Sequence, residues 1–296
     1  MLDKQGVLLA NVPFGDGVEV IHSNEDGLLA VNKPTGVLSH PNEESAAEDL
    51  SRSLLKASYD FEEECYYWET ATGELSKVWL LNRLDSATSG VILMALDAEV
   101  AQLVKGQFST HHVDKVYFAI VRDLVKPTVG EWEDSLKKNV YKDTKKAKGF
   151  VQVSAKTRYH VNLRPTGSLK LCLLKLMPLT GRTHQLRVQC AKHGHPIVGD
   201  RTYGSFSFNR EIKSATEVKR MMLHSGETTV RYSYKGKAKE FKAEASLPEV
   251  FRKLLRYRES SSSQVMAKRP TRKHGPKPNP AKAQLEKFMK QRRARR

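Results

Sequence analysis

From Lys115 to Val121 the chain reads Lys-Val-Tyr-Phe-Ala-Ile-Val. Val116, Phe118 and Ile120 alternate with Tyr117, Ala119 and Val121, so an extended segment here is apolar on both faces. Such a strand needs cover above and below and belongs inside a sheet rather than at its edge. The rest of the sequence must supply that sheet. Leu28–Val31, Val91–Leu96, Phe150–Val161 and Lys170–Met177 read as strands, the last two joined at a Pro165-Thr166-Gly167 turn. Thr228–Tyr234 and Ala238–Ala245 flank Lys235-Gly236-Lys237 as a further hairpin. Ala46, Ala47, Leu50, Leu54 and Ala57 repeat at the helical period and predict a helix over 44–57. Another is expected over Ala98–Phe108. A third runs from His184 to His193, with Thr183 as cap and Gly194 as stop. Pro248 opens a last short helix that reaches Tyr257. Phe61–Gly73 mixes acids, aromatics and a Thr-Ala-Thr-Gly turn, and residues 42–80 are expected to form a loop-rich insert with Glu62-Glu63-Glu64 on a solvated edge.

Composition narrows the function classes. The 296 residues suit one large domain or two modest ones, and 39% hydrophobic content supports a core. No apolar run approaches the roughly 20 residues of a membrane span, and Met1–Gly6 lacks the layout of a signal peptide. Cys65, Cys172 and Cys190 are odd in number and far apart, which argues against a disulfide framework or zinc site and for a reducing cytoplasm. The formal charge is +17, of which Ser261–Arg296 carries +11 from twelve Lys and Arg against one Glu. Lys137–Lys148 holds six Lys and one Asp. This balance favours a polyanionic partner. The expected organisation is a domain over 1–259 and a basic, largely disordered tail over 260–296.

Two stretches are dense in functional residue types. Leu80–Gly90 reads Leu-Leu-Asn-Arg-Leu-Asp-Ser-Ala-Thr-Ser-Gly and presents a lone carboxylate, Asp85, between apolar runs. Taken locally, Asp85 also reads as a turn former bonded to its own backbone. The other stretch is Gly181-Arg182-Thr183-His184-Gln185-Leu186-Arg187, followed by His193-Gly194-His195-Pro196-Ile197-Val198-Gly199-Asp200 and Tyr203-Gly204.

Taken with Asn32-Lys33-Pro34-Thr35-Gly36, these blocks make the sequence resemble the RluA family of RNA pseudouridine synthases, from about Leu28 to Leu247. The resemblance implies a mixed α+β fold with a central, mainly antiparallel sheet flanked by helices and an RNA-binding cleft. It implies an isomerase that turns a uridine of ribosomal or transfer RNA into pseudouridine, acting as a monomer with no metal or organic cofactor. It maps the nucleophile onto Asp85, its cationic partner onto Arg187 and the active-site tyrosine onto Tyr117. Arg83 matches the residue that fills the space left by the flipped base, and Lys33, Arg182 and His184 are expected to contact the RNA. Asn82 departs from the family, which usually has His there, and a difference in loop packing or RNA contact is expected. Only about 25 residues precede the matching region, too few for the S4 domain of some relatives. Two other readings stand beside this one: a noncatalytic RNA-binding or ribosome-assembly factor, and a metal-dependent hydrolase built on His184, His193 and His195.

Overall fold

A computed structural model describes residues 11–141, 147–164 and 168–258, without the side chains of 138–141, 147 and 148. Most of the Lys137–Lys148 run, the Pro165-Thr166-Gly167 turn and the tail from 260 lie outside the described residues. Twelve strands form one sheet. In chain order they are β1 (Glu19–Ser23), β2 (Leu28–Lys33), β3 (Ser58–Asp60), β4 (Cys65–Glu69), β5 (Leu75–Leu80) and β6 (Ser89–Ala95), then β7 (Val113–Arg122), β8 (Val129–Tyr141), β9 (Ala147–Leu163), β10 (Leu171–Pro178), β11 (Leu223–Tyr234) and β12 (Lys237–Glu244). The order across the sheet is β3-β4-β5-β6-β11-β7-β10-β9-β8, with β2 on β6, β1 on β2 and β12 on β11. Every pairing is antiparallel except the short β6–β11 contact, where His224 faces Ser89 and Ser225 faces Gly90. The helices are α1 (Ala98–Ser109), α2 (Gln185–Lys192), α3 (Phe206–Thr216) and α4 (Glu249–Arg256).

The doubly apolar strand lies where its sequence demands. β7 runs between β11 and β10, and Ala119, Ile120 and Val121 are fully buried. Each large side chain buried in this way contributes roughly 1.5–3 kcal/mol relative to exposure. One core cluster packs β7 and β10 against residues of α2, α3 and α4. A second sets Val100, Ala101 and Val104 of α1 against β6, β11 and β12. Asp97 starts α1 by accepting the Val100 N–H, the role expected of an N-cap Asp.

Several expectations need correction. Residues 42–80 are not loop-rich: β3, β4 and β5 make an antiparallel meander that extends the sheet. Glu63 and Glu64 of its acidic turn are exposed but paired with Lys77 at 2.7 Å and Lys105 at 3.0 Å. The helix expected over 44–57 is reduced to short helical turns within Glu43–Arg52. Ser53 is extended, because Leu54 and Leu55 are both fully buried and a continuing helix turns adjacent residues to different faces. β8 and α3 were not anticipated. In β8, Trp132, Asp134 and Leu136 point inward, and the buried acid interrupts the apolar alternation. Thr183 does not cap α2. The cap position falls on His184, which is left-handed at φ 54° and makes no side-chain capping bond.

Candidate active site

Asp85 sits on the loop between β5 and β6, and the backbone of that loop is held from outside. Gly36 N–H donates to Ser86 O at 2.7 Å. Thr35 Oγ1 donates to Ala87 O at 3.0 Å. Lys33 Nζ donates to Ser86 O at 3.2 Å, and also to Pro34 O and Val37 O at 3.0 and 2.7 Å. Lys33 is fully buried. Burial, helped by Arg220 and opposed by Asp85, lowers its pKa to about 7. The expected RNA contact at Lys33 is therefore corrected: all of its partners are carbonyls of the loops beneath the site. The Asn-Lys-Pro-Thr-Gly block is a cradle for the Asp85 loop.

The other end of the loop is fixed by close approach. Gly90 has φ +114°, and a Cβ there would stand 2.1 Å from Ser225 O. Arg220 Nη2 donates to Ser89 Oγ at 2.6 Å, and Ser89 Oγ lies 2.9 Å from His224 Nδ1. Burial, reinforced by Arg220, lowers the His224 pKa to about 4, against the pull of its Ala245 carbonyl partner. Asn82, the departure from the family pattern, accepts the Leu93 N–H at 2.8 Å. It has a loop-packing role that an uncharged amide fills.

Arg187 reaches Asp85 from α2. Its Nη1 donates to Asp85 Oδ2 at 2.8 Å. Nε and Nη2 grip Asp200 at 2.8 and 3.0 Å, the two-pronged geometry a guanidinium offers a carboxylate. The Asp200 side chain is wholly buried, while Asp85 keeps 28% of its side-chain surface exposed. Burial alone would raise the Asp200 pKa, but the Arg187 bonds and the N–H groups of Tyr203 and Thr202 outweigh it and hold it below the usual carboxylate range. Arg187 is correspondingly held charged: burial opposes its charge, and the two carboxylates more than offset that. One cation thus serves two carboxylates. Asp200 takes the fork, and Asp85 takes a single bond on one oxygen. The other oxygen, Oδ1, lies 3.6 Å from His184 Nε2, beyond hydrogen-bond range.

α2 is pinned so that Arg187 faces the loop. Gln185 accepts from Thr180 Oγ1 and Arg182 N–H and donates to Lys156 O and Thr157 Oγ1. Gln189, one turn on, accepts from Thr157 Oγ1 and donates to Asp134 and to the carbonyls of Trp132 and Ala155.

Arg83, Asp85, Tyr117, Arg182, His184 and Arg187 line one cavity of about 110 Å³, which Lys115 also borders. A wider cleft of about 630 Å³ opens on one side past His40 and Arg83. Another, of about 690 Å³, opens past Arg52, Arg201 and Lys219. Asp85 and His184 border all three. Burial, reinforced by the Asp85 charge, pushes the Tyr117 phenol up to about 12, so it stays protonated at neutral pH. Arg182 is half-buried, with Nε on Ser154 O at 3.2 Å, and Arg83 is exposed at the cleft mouth.

Sequence reasoning did not single out Asp200, which aims Arg187, or Tyr203, whose hydroxyl lies 3.1 Å from His184 Nδ1. The signal was present, since both stand in the block quoted for its density. The three candidate metal histidines go to separate partners: His184 to Tyr203, His193 to Asp134 at 3.0 Å and His195 to Arg122 O at 3.1 Å.

Comparison with known proteins adds an independent line. A family model described as RNA pseudouridylate synthase matches residues 27–192. A tRNA pseudouridine synthase C of Vibrio cholerae is 32% identical over 248 residues, covering 80% of this chain and 94% of the relative. One from Haemophilus ducreyi is 35% identical, covering 68% and 80%. Among solved structures, Human RNA Pseudouridylate Synthase Domain Containing 4 superposes with a TM-score of 0.55 at 21% identity, covering 80% of this chain and 91% of that one. Human RNA Pseudouridylate Synthase Domain Containing 1 gives 0.51 at 22%, covering 86% and 96%. These two likenesses concern the fold.

Proposed function

This chain belongs to the RluA family of RNA pseudouridine synthases, and on that premise we propose that it isomerises a uridine of transfer RNA with Asp85 as the nucleophile. The names of its relatives favour transfer RNA. The contact that carries the assignment of Asp85 is the 2.8 Å bond from Arg187. A carboxylate that must attack one carbon has to be held in place, and a charge-assisted bond to one oxygen does so while leaving the other free. A guanidinium supplies the charge without giving up a proton.

The chemistry is an isomerisation, so nothing is oxidised and no group leaves the substrate. The N1–C1′ bond of uridine breaks, the uracil turns, C5 joins C1′, and the C5 proton is replaced by one on N1. Asp85 Oδ1, the oxygen to which Arg187 does not donate, takes the anomeric carbon while the base is free. It leaves when C5 bonds there. Tyr117 supplies a ring against which the uracil lies. The proton that C5 loses is balanced by the one that N1 gains, and Tyr117, a protonated phenol, holds the ring in place during the exchange. Arg182 and His184 line the cavity for the flipped nucleotide. Arg83, at the mouth, takes the place of the base in the stack. Extrusion of that base costs a few kcal/mol, which pocket contacts offset. The three cysteines are free and buried, in keeping with a reducing cytoplasm. No helix among the described residues is long and apolar enough to cross a membrane.

The test is pseudouridine mapping of RNA from cells lacking this enzyme, after complementation with wild type or Asp85→Ala. Wild type should restore modification at one or a few transfer RNA positions, and the variant at none. Equal restoration by both would remove Asp85 from the chemistry. Restoration confined to ribosomal RNA would overturn the substrate class while leaving the nucleophile in place.

A further inference from the structure

We propose that His40, Tyr59 and Phe61, together with Arg83, form a stacking platform on the cleft rim for an unpaired base next to the target uridine; the inference rests on the RNA reading above. The His40 ring lies on that of Tyr59, with centroids 5.1 Å apart and planes at 16°. Phe61 stands across both, at 80° and 5.1 Å from Tyr59 and at 88° and 6.1 Å from His40. Tyr59 is backed edge-on by the buried Tyr66 at 4.9 Å. Phe61 is 37% exposed, on a turn whose next three residues are glutamates.

The platform is joined to the reacting centre. Ser39 Oγ donates to Leu84 O at 2.8 Å and accepts the Leu84 N–H at 2.9 Å. Tyr66 Oη donates to Ser39 O at 2.9 Å. His40 and Arg83 each adjoin a residue of this clamp in the chain, and both border the wide cleft that contains Asp85. His40 Nδ1 lies 2.7 Å from Pro41 O, which requires a proton on Nδ1 and leaves Nε2 to accept from Arg83 Nη1 at 3.3 Å. Burial, with Arg83 adding to it, lowers the His40 pKa, so the ring is neutral and the guanidinium carries the charge.

The surrounding charge selects the part of a nucleotide that fits. The turn is built by Asp60, which accepts the Glu62 and Glu63 N–H groups at 2.9 and 3.0 Å. Glu63 and Glu64 are paired with Lys77 and Lys105, so Asp60 and Glu62 give the turn its surplus negative charge, which disfavours a phosphate while the rings offer a surface to a base. Aromatic stacking of this kind tolerates any base and is worth about 1–3 kcal/mol per base. The meander of β3, β4 and β5, which has no obvious part in the chemistry, thereby acquires a role as the support for this platform.

The experiment measures binding of transfer RNA isolated from cells lacking this enzyme, across a range of salt, for wild type, Phe61→Ala, Phe61→Leu and Phe61→Trp. Phe61→Ala should bind roughly 10-fold more weakly with an unchanged slope of log K against log salt, because the phenyl ring neutralises no phosphate. Phe61→Trp should restore affinity and Phe61→Leu should not, although leucine refills much of the volume beside Tyr59 and His40 and should melt closer to wild type than Phe61→Ala does. Unchanged affinity in Phe61→Ala, or full rescue by Phe61→Leu, overturns the platform while wild-type modification of this RNA keeps the enzyme reading intact. A wild-type protein that modifies no RNA overturns that reading, and the platform with it.

Discussion

Asp200 shows how much of the site depends on a residue that never meets the substrate. Its fork on Arg187 uses Nε and Nη2, so only Nη1 remains for Asp85. Asp200→Asn keeps the shape but removes a buried charge partner, and breaking such a pair costs about 3–5 kcal/mol. The variant should therefore unfold at lower temperature at pH 7. Because the folded-state pKa of Asp200 lies below its unfolded value, the stabilisation is complete above the ordinary carboxylate range, near 3.9, and fades as pH falls through the depressed pKa. Thermal melts of both proteins should differ most at neutral pH and converge in acid; a gap that widens in acid would refute the account. At this scale the sequence was partly legible. Asp85, Tyr117 and Arg187, named from the family resemblance, lie far apart in sequence and line one cavity. Lys33 was expected at the RNA from the resemblance, whereas three carbonyls of the loops offset the cost of burying it.

Among elements, the short parallel junction between β6 and β11 governs where the Asp85 loop lies. Gly90→Ala would place a methyl 2.1 Å from Ser225 O at a φ of +114°. The strain and overpacking should cost roughly 2 kcal/mol or more. A displacement of the carboxylate of even 1 Å should slow the reaction about 100-fold, read as a fall in kcat larger than the drop in Tm alone explains. A variant with wild-type kcat would show that the junction does not position the loop. Strands with clear alternation, such as β7, β10 and the β11–β12 hairpin, were visible in the sequence. α3 was missed although Ser205 caps it and Phe208 and Ile212 bury at helical spacing, because its first turn is rich in Ser and Asn. The meander was missed because its acidic turn and Thr-rich tip disguise three short strands. Whether a segment pairs with a sheet edge depends on partners far away in sequence.

For the molecule as a whole, charge is divided between a basic body and a more basic tail. Truncation after Glu259 removes +11, and RNA binding should weaken and become less salt-sensitive. The slope of log K against log salt should fall by about 0.7–0.9 for each phosphate that the tail neutralises. An unchanged slope would mean that the tail does not touch RNA. The sheet order also has a consequence for how the protein is made. β11 lies between β6 and β7, so the half that bears Asp85 and the half that bears Arg187, 102 residues later, meet across a strand that the ribosome supplies after both. A nascent chain holds Asp85 long before it holds β11. Asp85 and Arg187 are therefore brought together across the sheet only once β11 has been made, however early each of them is synthesised.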